Sequence, residues 1–132
     1  MVLGGGSIRK PTLRNTIERD SEIVQCLQNL GVSKSVAYLI SYLKDMNERS
    51  YQDIEEATGL RQPEVSIAMR VFREQGWITE RDIRRCPRAR TSKTYALRQT
   101  LEEITRHYEE VEQIESARIS EAIGKLKELY SA

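Results

Sequence analysis

The feature that most constrains the fold is the set of helix-starting and helix-ending residues between positions 50 and 76, which predicts two consecutive helices. Ser50 and Asp53 have the spacing of a capping box, and Gly59 is suited to end the short helix that follows. Pro63 fits the first turn of a second helix, predicted over about 62–75, which Gly76 would end. A tight turn at 58–60 therefore joins two helices of defined length.

The rest of the chain divides around this pair. One helix is predicted from about Thr16 to Gly31, and another follows Ser33, a residue type favoured at helix N-caps. Residues 77–79 and 94–97 are predicted to form two short strands around a polar, basic loop. These signals predict a flexible N-terminal segment (1–15), a compact domain (16–98) and a C-terminal helix (99–132).

Thr100 and Glu103 form a second capping box, and no proline follows it through residue 132. The apolar residues of this C-terminal helix recur at helical spacing: Leu101, Ile104, Tyr108, Val111, Ile119, Ile123 and Leu126. Their phase shifts near Glu115, which either a four-residue stutter or a break near Ser116 would explain. A single helix of this length cannot bury both apolar stretches against so small a domain, so we expect it to form a coiled-coil homodimer. The alternative is that it docks onto the chain's own N-terminal helices.

The net charge of +1 conceals a strong asymmetry along the chain. Residues 61–98 carry ten Lys and Arg against four acids, whereas residues 99–132 carry four bases against eight acids. A basic block beside an acidic one indicates where a polyanion would bind. The alternative is that the basic loop pairs with the acidic helix of a neighbouring molecule.

Composition and motifs exclude several classes of function. No apolar run approaches the roughly 20 residues needed to span a bilayer, and the N-terminus lacks a signal-peptide core, so we expect a cytoplasmic protein that does not contact membranes. Cys26 and Cys86 are far apart, and His107 is the only histidine, so neither a metal site nor another cofactor is expected. No nucleophile with an orienting base is apparent, which argues against an enzyme.

Residues 50–97 resemble the winged helix-turn-helix regulators of the MarR, ArsR and TrmB type. The residues that carry the resemblance are SYQDIEEATGLRQPEVSIAMRVFREQGWITE, the basic loop, and the returning strand SKTYALR. The preceding LGVSKSVAYLISYL is similar to the helix that precedes the motif in TrmB-type archaeal regulators. The resemblance implies a mainly α fold: a winged helix-turn-helix, with helices plus a two-stranded β wing, followed by a long C-terminal dimerisation helix.

The same resemblance implies a homodimeric transcription regulator that binds double-stranded DNA. The helix over 62–75 would be the recognition helix in the major groove, and residues 81–93 would be the wing. A two-fold dimer would place its recognition helices about 34 Å apart, one turn of DNA. The residues expected to contact DNA are Arg61, Gln62, Ser66, Ile67, Arg70, Arg81, Arg84, Arg85, Arg88, Arg90 and Lys93.

A second reading is a winged helix that binds protein within a larger transcription or repair complex. Ile67 and Val71 motivate it, because family members often carry polar or basic residues there.

Tyr38, Tyr42 and Tyr51 either line a pocket for an unidentified small-molecule effector or pack at the edge of the core. Cys86, between arginines, is either a redox-sensitive thiolate or an ordinary surface cysteine.

Overall fold

A computed structural model describes residues 13–84 and 86–132, with side chains from residue 20 onward. The chain is mainly helical, and its elements follow the order α1 (Leu13–Asn29), α2 (Lys34–Leu43), β1 (Arg49–Ser50), α3 (Tyr51–Thr58), α4 (Gln62–Gln75), β2 (Ile78–Ile83), β3 (Ser92–Leu97) and α5 (Leu101–Ser131). It forms two compact units that divide between Arg98 and Gln99.

The predicted helix ends around α3 and α4 are confirmed. Ser50 Oγ accepts a hydrogen bond from the Asp53 backbone N–H at 3.0 Å, and Asp53 Oδ2 accepts one from the Ser50 N–H at 3.2 Å. Gly59 and Gly76 end the two helices in the left-handed region, with φ of 73° and 74°, where a side chain would be strained. These local signals set the length and direction of α4.

The N-terminal part differs from expectation at its start. Residues 1–12 of the predicted flexible segment lie outside the described residues, and α1 begins at Leu13, slightly before the predicted Thr16. Ser33 is the N-cap of α2, as predicted, although its side chain makes no capping hydrogen bond.

The sheet has three antiparallel strands in the order β1-β3-β2. The two predicted strands are present and pair as β2 and β3, and β1 adds a third strand that was not predicted. β1 is only two residues long, and it is defined by the pairing of Arg49 with Tyr95 and of Ser50 with Thr94. So short a strand has no alternating pattern of its own, which is why the sequence did not reveal it. β2 and β3 also extend further than predicted, leaving residues 84–91 as the β2–β3 loop.

The core of the first unit lies between α2, α3, α4 and the sheet. Leu39, Ile40, Leu43, Ile54 and Phe72 are its largest fully buried side chains. Val65, Met69 and Phe72 form the buried face of α4. Ala57 on α3 is exposed, and Leu60 in the following turn is buried.

The second unit is α5, one uninterrupted helix from Leu101 to Ser131, which rules out the break considered near Ser116. Its capping box is present: Thr100 Oγ1 accepts from the Glu103 N–H at 3.1 Å, and Glu103 Oε1 accepts from the Thr100 N–H at 2.9 Å. Ile104 is the one buried side chain of this helix. Among the described residues, no helix has the length and apolar character needed to cross a membrane.

Candidate nucleic-acid interface

One face of α4 is polar and open to solvent. Gln62, Ser66 and Arg70 follow one another at intervals of four residues and are all exposed, while the opposite face packs into the core. Side chains that extend from a helix held in this way offer hydrogen-bond donors at about one-turn intervals. The predicted positions on this helix therefore do share one accessible surface.

Arg61, the N-cap of α4, and Ile67, in its second turn, are also at the surface. The Arg61 backbone N–H donates to Glu64 Oε1 at 3.1 Å, so the acidic side chain satisfies a backbone group at the helix start. The Arg61 guanidinium has no ion-pair partner among the described residues. Ile67 is 56% exposed, which leaves an apolar side chain within this polar surface.

The β2–β3 loop gathers further positive charge. Arg84 Nη2 donates to Thr91 Oγ1 at 3.0 Å across the base of the loop, and the Ala89 N–H donates to the Cys86 carbonyl at 3.0 Å in a tight turn. Arg88 and Arg90 are exposed, and within the described part of the chain they form no ion pair. Arg85, also predicted to contact DNA, lies outside the described residues.

Arg81 is different, because an acidic side chain already engages it. Arg81 Nε and Nη2 donate to the two carboxylate oxygens of Glu48 at 2.7 and 2.8 Å, and the Thr94 hydroxyl donates to the same carboxylate at 2.9 Å. The hydrogen bond from Arg81 lowers the pKa of Glu48. An anion that binds Arg81 must therefore compete with Glu48.

A second internal pair lies on the other face of the sheet, since neighbouring residues of a strand point to opposite faces. Arg73 Nη2 donates to Glu80 Oε1 at 2.6 Å, and this bond lowers the pKa of Glu80. Lys93 lies directly opposite Asp82 in the β2–β3 register, and its charge also favours ionised Glu80. The basic side chains of the two strands, Arg81 and Lys93, therefore lie next to acidic side chains, whereas Arg88 and Arg90 of the loop form no ion pair with the described residues.

A groove of about 220 Å3 lies beside α4 and brings together residues that sequence reasoning treated separately. Its lining residues are Tyr51, Gln62, Val65, Ser66, Met69, Arg73 and Tyr95. Tyr95 and Arg73 were not predicted as site residues, and Tyr51 was considered only for an effector pocket with Tyr38 and Tyr42. The fold alone brings these three next to Gln62 and Ser66. The Tyr51 hydroxyl donates to Glu55 Oε2 at 3.1 Å, and Arg73 is held by Glu80.

The tyrosine cluster considered for an effector is divided in the structure. Tyr38 and Tyr42 line a cavity of about 320 Å3 together with Asp20 and Ser41. Tyr51 lies instead at the groove beside α4. Tyr51 therefore lines a different cavity from Tyr38 and Tyr42.

Among the described residues, no cluster of three or more His, Cys, Asp or Glu side chains could hold a metal ion. Cys26 and Cys86 are both free and exposed. Comparison with known proteins adds no relative, because no family model, curated protein or solved structure matches the chain. Its function must therefore be inferred from the charges and geometry of its own residues.

Proposed function

We propose that this chain is a homodimeric, sequence-specific DNA-binding protein of the winged-helix type that regulates transcription. In this assignment α4 is the recognition helix in the major groove, and the β2–β3 loop is a basic wing on the DNA backbone or in the minor groove. The protein binds rather than catalyses. The order of α3, α4, β2 and β3, with β1 pairing to β3, supports the winged-helix assignment.

One observation carries the proposal: the distribution of unpaired positive charge. Arg70 on α4 and Arg88 and Arg90 in the loop have no ion-pair partner among the described residues, whereas Arg73 and Arg81 are held by acids. A free guanidinium binds phosphate without first giving up another partner, and each neutralised phosphate releases counterions. Free arginines on a helix-turn-helix unit are the expected electrostatic footprint of a DNA-binding protein.

The exposed side chains of α4 suit base recognition. An α-helix fits the major groove, where an arginine can donate two hydrogen bonds to guanine and glutamine can bind adenine. Arg70 and Gln62 are exposed on the same face with Ser66 between them. The helix is held from behind by the buried Val65 and Phe72, so these side chains would be presented with little loss of order on binding.

The dimer in this proposal is formed by α5. Val111, Ile119, Ile123 and Leu126 are between 46% and 60% exposed along this helix. Such a row of apolar side chains on a polar helix is typical of a surface that a partner covers. A two-fold dimer would favour a pseudo-palindromic DNA site.

The proposal is tested by fluorescence anisotropy of the full chain against duplex DNA from upstream of its own gene, with a scrambled duplex as the control. If about six phosphates are contacted, affinity falls by roughly 10³-fold between 50 and 200 mM salt. Steep salt dependence with preference for the upstream duplex supports a sequence-specific regulator. Absence of binding to either duplex at low salt would overturn the proposal.

Three variants divide the interface into its parts. Arg70→Ala is expected to reduce discrimination between the duplexes by about 1–3 kcal/mol, because it removes a base contact. The double variant of Arg88→Ala and Arg90→Ala weakens binding to both duplexes and lowers the salt slope by about two. Arg106→Ala is the matched control, since this arginine lies on α5 and pairs with Glu102, and it leaves DNA affinity unchanged.

A second candidate function is a winged helix that binds a protein partner, and the exposure of Ile67 favours it. In that case the α4 surface would bind through apolar contact, and the affinity for the partner would respond little to salt. Ile67→Asp separates the candidates when a partner protein is in hand. It would abolish an apolar protein contact, whereas Arg70→Ala would leave that contact intact.

A further inference from the structure

Two acids interrupt the exposed apolar residues of α5 between Val111 and Ile119. On the helix surface, Glu112 lies four residues after Tyr108, and Glu115 lies four residues after Val111 and four before Ile119. The exposed apolar residues then continue through Ile123 and Leu126. Two carboxylates therefore lie between two apolar stretches, on the face that the proposed dimer would bury.

The charge of α5 is also divided between its ends. Residues 101–115 carry six acids and one base, whereas residues 116–131 carry three bases and two acids. Arg118 already pairs with Glu115 within the helix. Lys125 and Lys127 form no ion pair with any residue that the structure describes. The first half is strongly negative, and the second half is weakly positive.

These two features decide between the ways in which two copies can pair. In a parallel pair in register, each residue of this face is level with its own counterpart. The two Glu112 carboxylates, which have no ion-pair partner among the described residues, then lie level with each other, as do the two Glu115 side chains that Arg118 pairs within each helix. Like charges directly opposed in an interface cost free energy, and desolvation adds to that cost. In an antiparallel pair centred near Ile119, Glu112 is level with the second copy's Leu126, which Lys125 and Lys127 flank, and Glu115 is level with Ile123.

We propose that α5 pairs with α5 of a second copy in antiparallel orientation, with the two-fold axis close to Ile119. This inference rests on the proposed homodimer and adds its geometry. Ile119 meets its own counterpart at the centre, and Tyr108 is level with the second copy's Tyr130 at each end. The acidic half of each helix lies along the basic half of the other, so the pairing selects a second copy by charge as well as by apolar contact.

The orientation has a structural consequence. At a rise of about 1.5 Å per residue, the two copies of Leu101 lie roughly 50 Å apart along the axis of an antiparallel pair. A parallel pair would bring them to about 10 Å. The orientation of the two helices therefore sets the distance between the N-terminal ends of α5 in the two copies.

Disulfide trapping tests the orientation in the full chain. Cys26→Ser and Cys86→Ser first remove the two native thiols, both of which are exposed. Single cysteines are then introduced as Ile119→Cys, Glu112→Cys and Leu126→Cys, all at exposed positions of α5, so folding is preserved and is checked by circular dichroism. A disulfide forms only where the Cα atoms approach within about 7 Å.

The antiparallel pair predicts that the Ile119→Cys variant links to itself, and that the Glu112→Cys variant links to the Leu126→Cys variant when the two are mixed. At micromolar protein, this mixed disulfide should form roughly 100-fold faster than by random collision, because pairing raises the effective concentration to millimolar. The Leu126→Cys variant alone should link no faster than collision. Rapid self-linking of that variant would show a parallel pair and overturn the inference.

The two proposals fail in different ways. Light scattering and DNA anisotropy are measured on the same cysteine-free protein. A dimer without DNA affinity would contradict the proposed function and leave the helix orientation to be decided by trapping. A protein that binds DNA but remains monomeric, or a dimer in which Leu126→Cys links to itself, would overturn the antiparallel pairing and leave DNA binding intact.

Discussion

The helices α4 and α5 have the same kind of sequence and opposite environments. Both carry apolar residues at helical spacing, yet Val65, Met69 and Phe72 of α4 are at most 3% exposed, whereas Ile123 and Leu126 of α5 are 48% and 60% exposed. The difference arises because α2 and β2 pack against α4, while α5 is a unit of its own. Helical periodicity identifies the side chains that share a face, but the partner that covers that face must come from elsewhere.

The largest effect that would test this comparison is expected at the centre of α4. Phe72→Ala removes a fully buried ring and should lower the free energy of unfolding by about 3–5 kcal/mol. The fluorescence of Trp77, the single tryptophan, reports the unfolding. Ile67→Ala on the exposed side of the same helix is the control, with a change within about 0.5 kcal/mol. Equal losses in the two variants would show that α4 is not held by its buried face.

The corresponding change in α5 should act on association instead of folding. Leu126→Ala removes two side chains from each dimer and is expected to weaken it by about 2–3 kcal/mol. Sedimentation at several protein concentrations measures this loss. The unfolding of the first unit, followed by Trp77 in the dilute monomer, should be unchanged. A destabilised monomer would mean that the chain itself covers Leu126.

A smaller effect compares the two capping boxes, which are similar in geometry but belong to different units. Ser50→Ala removes the acceptor for the Asp53 N–H and should lower the stability of the first unit by about 1 kcal/mol. Thr100→Ala removes the equivalent acceptor in α5, and it should reduce helicity there without changing the unfolding midpoint seen by Trp77. Thermal melts followed by circular dichroism and by fluorescence separate the two results.

The smallest effect is electrostatic and belongs to the sheet beside α4. The bond from Arg73 holds the pKa of Glu80 below its ordinary value of 4.5, so the unfolded chain binds the proton more readily than the folded one. The stabilisation is therefore complete above about pH 4.5 and is lost as the pH falls through the lower folded value. Because the pair is partly exposed, Glu80→Gln should cost only about 0.5 kcal/mol at pH 7.

Denaturant titrations from pH 7 to pH 3 check this expectation. The difference between the wild type and the Glu80→Gln variant should shrink towards low pH, where Glu80 is protonated in both states. A difference that stays constant with pH would show that Glu80 stabilises the sheet by packing and not by charge.

The positions and ends of the helices could be predicted because they depend on near neighbours. The capping boxes at Ser50 and Thr100 join residues three apart, and Gly76 needs only its own backbone conformation to end α4. The exposed face of α4 followed from the same spacing, since Gln62, Ser66 and Arg70 share a side of any regular helix. These features require no knowledge of the rest of the chain.

Other features were decided only when distant parts of the chain came together. β1 exists because Arg49 pairs with Tyr95, and Arg81 is neutralised by Glu48, 33 residues away. A sequence shows that Arg81 is positive, but its partner depends on the register of β2 and β3. The amino-acid sequence by itself therefore determined the helices, their ends and the location of the basic residues, through interactions within one helical turn. Tertiary structure alone decided which of those charges are free to bind an anion, because long-range pairing sets the distance between an arginine and the nearest acid.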